Sequence, residues 1–105
     1  MVYGPLLENI VFLDLKRRFS GELWYVREKY ETDFYLPEQN HLIQVAFDLS
    51  NPETREREIR ALTYFAEKYQ AEKSTIVTRD QEEQVVAGDL TIDVVPVWKW
   101  LLRAR

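Results

Sequence analysis

The stretch HLIQVAFDLSNPETREREIRALTYFAEKYQAEKSTIVT, residues 41–78, decides the fold. Residues 41–48 (HLIQVAFD) alternate with period two. Ile43, Val45 and Phe47 point one way and Gln44 and Ala46 the other, as in a strand with two distinct faces. Asn51-Pro52-Glu53 then predicts a helix start, with Ser50 or Asn51 as its cap. A capping oxygen accepts from the free N–H groups of the first turn, and proline there gives up an N–H that has no helical partner. Ile59, Leu62, Phe65, Ala66 and Tyr69 recur at helical spacing, so the helix runs to about Tyr69. Residues 74–78 (STIVT) read as a short buried strand. A strand, a helix and a strand make a crossover, so 74–78 is expected to run parallel to 41–48.

Upstream, residues 22–27 (ELWYVR) and 32–36 (TDFYL) are rich in aromatic and branched side chains, with a short connection at 28–30. With 41–48 they predict an antiparallel meander of three strands. Before them Pro5, Leu6, Leu7, Ile10, Val11, Leu13 and Leu15 read as a helix that Gly21 follows. Its apolar residues cover more than one stripe, which predicts a largely buried helix and makes Glu8, in the first turn, conspicuous. Downstream, residues 84–87 and 90–95 flank Gly88-Asp89 as a hairpin, and Pro96 opens a last short helix. There Trp98 and Trp100 diverge by about 200°. Either one is core and the other half-exposed, or together they offer a docking surface for a second domain or subunit. The order helix, three strands, helix, strand, hairpin, helix is α/β with a mixed sheet, one domain over residues 1–105.

Composition narrows the chemistry. The chain has 105 residues and no cysteine, which excludes disulfide scaffolds, zinc–thiolate sites and thiol catalysis. Glycine occurs only at 4, 21 and 88, so there is neither a P-loop nor a dinucleotide-binding glycine fingerprint. The single histidine, His41, is expected at the surface end of a strand, and no Gly-x-Ser-x-Gly elbow accompanies it. The apolar run 10–13 is far too short to span a bilayer, so a soluble cytoplasmic protein without membrane contact is expected. A net charge of −4 weighs against strong nucleic-acid binding, although Lys16, Arg17 and Arg18 are consecutive. Arg55, Arg57 and Arg60, interleaved with Glu53, Glu56 and Glu58, read as a solvated helix face.

One constellation remains. If strands 32–36 and 41–48 pair without a bulge, Asp33 and Gln44 lie side by side, and Glu8 from the first helix could complete a polar cluster. Two carboxylates and an amide oxygen are hard donors suited to Mg²⁺ or Mn²⁺.

The segments LLENIVFLDLKRR (6–18), YETDFYL (30–36), LIQVAFDLSNPETREREIRAL (42–62) and VVPVWKWLL (94–102) carry a resemblance. The chain resembles the restriction-endonuclease-like, or PD-(D/E)XK, fold. More narrowly it is similar to the C-terminal domain of a large prokaryotic family of AAA-type ATPases. The resemblance implies that Glu8 matches the first-helix acid of that fold and Asp33 its metal-binding aspartate. It places the (D/E)XK tripeptide on Gln44-Val45-Ala46, where an amide replaces the acid and alanine the lysine. Loss of one preorganised stabilising donor costs about 10²- to 10³-fold in rate. The implied function is therefore a degenerate, non-catalytic nuclease-fold module that acts as an interaction or regulatory domain beside an ATPase, with the Trp98/Trp100 helix as a docking element. A Mg²⁺- or Mn²⁺-dependent DNA or RNA nuclease using Glu8, Asp33 and Gln44 is the alternative, in which Lys73, Arg57 or Arg60 would have to replace the lysine. A plain structural α/β domain is the third reading. No ATPase domain is recognised in the chain.

Overall fold

The computed structural model describes residues 3–27 and 31–103, with the side chains of 4–25 and 34–102, so the expected connection at 28–30 lies outside the described residues. The elements are α1 (Tyr3–Arg18), β1 (Trp24–Arg27), β2 (Glu31–Leu36), β3 (His41–Val45), α2 (Pro52–Tyr69), β4 (Lys73–Thr78), β5 (Glu83–Ala87), β6 (Leu90–Pro96) and α3 (Val97–Arg103). The strands form one mixed sheet in the order β1-β2-β3-β4-β6-β5. β1, β2 and β3 are antiparallel neighbours, β3 and β6 run parallel to β4 on either side of it, and β5 closes the far edge antiparallel to β6. The α/β class, the meander and the parallel crossover are as the sequence predicts.

Local chemistry sets the joints. Asn51 caps α2, its Oδ1 accepting from the N–H groups of Glu53 at 2.8 Å and Thr54 at 3.2 Å. The β2–β3 turn ends on Asn40, whose positive φ of 50° suits a short polar side chain better than a branched one. Its Oδ1 accepts from the Tyr35 hydroxyl at 2.8 Å, and its Nδ2 donates to the carbonyl of Gln70 at 2.7 Å, so one residue ties this turn to the end of α2. β3 is shorter than the expected 41–48, but the chain leaves the ladder gradually: the Ala46 N–H still donates to the Val77 carbonyl at 3.0 Å.

Alternation along the strands builds two cores. Leu42 and Ala46 of β3, with Tyr35, Ile76, Ile92 and Val94, pack under Leu62, Phe65 and Ala66 of α2. On the other face Phe34, Leu36, Ile43, Val77 and Val95 pack with Val11 and Leu15 of α1 and Trp100 of α3. The expectation of a largely buried first helix is corrected here. Only the stripe Leu7, Val11, Asp14 and Leu15 is buried, while Leu6 and Leu13 are 56% and 57% exposed. α1 is an outer layer, and a helix lying on one sheet can bury one side only.

Asp14, on the buried stripe, is held by Arg17 at 2.6 Å and Arg18 at 2.8 Å. Arg18 also donates to the carbonyls of Trp100 and Leu101 and lies over the Trp100 ring, which fastens α3 to the end of α1. Two of the three consecutive basic residues are therefore engaged within the fold. Trp100 is 3% and Trp98 59% exposed, the core-and-surface outcome for the tryptophan pair.

Candidate functional site

Gln44 is the polar residue that β3 buries most completely, at 4% exposure. It points to the α2 side, where its Nε2 donates to Oε2 of Glu58, while its Oε1 has no hydrogen-bond partner among the described residues. Glu58 reaches it because 58, 62, 65 and 69 lie on one stripe of α2, which Leu62 and Phe65 anchor in the core. The other Glu58 oxygen is 3.8 Å from the Arg57 guanidinium, which is mostly in solvent. Ala46, two residues on from Gln44, is buried in the same core. The β2–β3 register pairs Phe34 with Ile43, and continued by one residue it sets Asp33 across from Gln44. The Asp33 side chain lies outside the described residues.

Glu8 is elsewhere. It lines a groove of about 510 Å³ on the α1 side of the sheet, together with Pro5, Asn9, Phe12, Leu23, Tyr25 and Phe34. The structure thus brings position 33 to Gln44 and keeps Glu8 on the opposite face. The reason is alternation: the β3 register that turns Ile43 toward α1 turns Gln44 toward α2. Among the described residues no group of three or more histidine, aspartate or glutamate side chains is arranged to hold a metal ion. Of the cations considered as replacements for a lysine, Arg57 comes near through Glu58, whereas Arg60 pairs with Glu56 and Lys73 is exposed at the start of β4. His41 opens β3, at the strand end as expected, and is half-buried, its Nε2 2.8 Å from the Thr75 hydroxyl.

The polar face of α2 is only partly the solvated face expected. Arg55 leaves the helix to make a two-pronged pair with Glu83 on β5, at 2.7 and 2.8 Å. These hydrogen bonds hold the Glu83 carboxyl below its ordinary value of 4.5 and push the Arg55 guanidinium further up. Glu58 was missed as a partner of Gln44 because it sits among charges. The signal was available in its spacing of four and seven from Leu62 and Phe65.

These features define a three-layer α/β domain with a closed polar pair inside one face and an open, largely apolar groove holding Glu8 on the other. The chain belongs to the family described as a domain of unknown function (DUF4143), whose model matches residues 3–100. It is 39% identical over 110 residues to the uncharacterized protein MJ1544 of Methanocaldococcus jannaschii, an alignment covering 94% of this chain and 25% of that protein. The chain therefore spans about a quarter of the length of the curated relative it matches. No solved structure matches it.

Proposed function

We propose that this domain is a nuclease-fold module without hydrolytic activity that serves as an interaction or regulatory domain of an ATPase. The observation that carries the reading is the state of the Gln44-Val45-Ala46 tripeptide. The amide at 44 is bonded to Glu58 inside the α2 core, and the side chain at 46 is a buried methyl group. A phosphodiesterase of the two-carboxylate type needs open oxygen ligands for its metal and a cation aimed at the scissile phosphate. Here one ligand position is neutral and enclosed, and the cation position is filled by hydrocarbon. The element order and the placement of Asp33 opposite Gln44 support kinship with the PD-(D/E)XK framework. The exposed Trp98 of α3 supports a docking role, since tryptophan is enriched where partners bind. A relative four times as long supports a place beside further domains.

The purified domain is expected not to cleave single- or double-stranded DNA or RNA in Mg²⁺ or Mn²⁺ at neutral pH. Cleavage that Asp33→Ala abolishes would overturn the reading in favour of a metal-dependent nuclease, and contaminating activity would survive that substitution.

A further inference from the structure

The groove on the α1 side holds an unusual carboxylate. Glu8 is half-buried, and among the described residues its carboxylate has no hydrogen-bond or ion-pair partner. Its surroundings are aromatic. Phe12 and Phe34 stack with ring centroids 6.1 Å apart, and Tyr25 of β1 forms the facing wall. A partly desolvated carboxylate between aromatic faces is complementary to a cation that is itself flat and weakly hydrated.

The groove also adjoins a sheet edge. Among the described residues β1 pairs with β2 alone, with an irregular register between Trp24 and Val26, and no described strand lies on its outer side. Trp24 and Tyr25 on that strand are about half-exposed, a surface that an extended ligand would cover and a small ion would not.

From these features we infer that the groove between α1 and β1 is a binding site for the arginine side chain of an extended polypeptide partner, with Glu8 as its counter-ion. The peptide backbone lies along β1, and the guanidinium enters between Tyr25 and the Phe12–Phe34 pair to meet the Glu8 carboxylate. Arginine fits better than lysine because its planar fork both stacks on rings and bonds two carboxylate oxygens at once. The inference does not depend on kinship with nucleases, because it uses the opposite face of the sheet from Gln44.

The test is a titration of the ¹⁵N-labelled domain with the peptide acetyl-Val-Thr-Arg-Val-Thr-amide, followed by amide shifts. The control is the same peptide with citrulline, which keeps the shape and loses the charge. The arginine peptide is expected to bind about fivefold more tightly than the citrulline peptide, with shifts centred on residues 8, 9 and 23–25. Glu8→Gln is expected to abolish that preference while leaving the thermal unfolding midpoint unchanged. Equal binding of the two peptides, shifts outside the groove, absence of binding at millimolar peptide, or a preference that survives Glu8→Gln would each overturn the inference. Tighter binding of a lysine peptide would overturn the assignment to arginine.

Discussion

The two faces of the sheet handle a polar side chain in opposite ways. On the α2 side Gln44 is enclosed, bonded to Glu58 and surrounded by Leu62, Phe65 and Ala46. On the α1 side Glu8 has no partner among the described residues and lines an open groove, and Leu6 and Leu13 of the same helix are mostly exposed. The difference teaches where change is tolerated. The α2 face is built for stability, because a buried amide without its partner would be costly. The α1 face leaves Leu6 and Leu13 exposed and Glu8 in an open groove.

The largest expected effect sharpens this contrast through packing. Phe65→Ala empties a fully buried position and is expected to cost about 3–5 kcal/mol, whereas Leu13→Ala is expected to stay within about 0.5 kcal/mol. Urea unfolding of the two variants measures both, and similar losses would break the distinction between the faces.

A second comparison probes charge. Gln44→Glu sets a second carboxylate against Glu58 in the enclosed pair and is expected to cost about 2–4 kcal/mol at pH 7. Repulsion and burial raise the pKa of the new group in the folded state, so the penalty is full at neutral pH. It shrinks as the pH falls toward about 4, where the unfolded chain also takes up the proton. Adding Glu58→Gln is expected to restore stability by reversing the pair. An unpenalised Gln44→Glu at pH 7 would mean that the α2 face is open enough to accept a cation, and the closed description would fail.

The smallest effect concerns the exposed strap between α2 and β5. Arg55→Ala is expected to cost less than about 1 kcal/mol at pH 7, because solvent screens a pair that is about one-third exposed. Glu83 has a depressed carboxyl pKa, so its share of stability is present at neutral pH and lost as the pH falls below 4.5 through the folded value. Thermal unfolding across pH 3–7 should therefore show the gap between parent and variant closing in acid. A gap that persists at pH 3 would assign the effect to lost packing.

Much of the fold was legible because its signals are local. Asn51-Pro52 marks a helix start by the same capping chemistry in any protein, and Gly88-Asp89 marks the hairpin, where Gly88 adopts a φ of 64°. The candidate site was legible only along β2 and β3, where period two and a regular hairpin suffice to bring position 33 to Gln44. The burial of α1 was misjudged because the sequence shows how many apolar residues a helix has and not how many layers cover it. The contact of His41 with Thr75 was not legible, because nothing nearby in sequence announces a residue 34 positions away.

The sequence by itself determined the order of the elements, the joints between them and the absence of thiol, P-loop and triad chemistry. These follow from residue type and short-range spacing. The tertiary structure alone decided which face each polar residue would use. Successive strand side chains point to opposite sides, so a helix docked on one side can reach only half of them. α2 therefore meets Gln44 through Glu58, and α1, on the other side, leaves Glu8 to the groove.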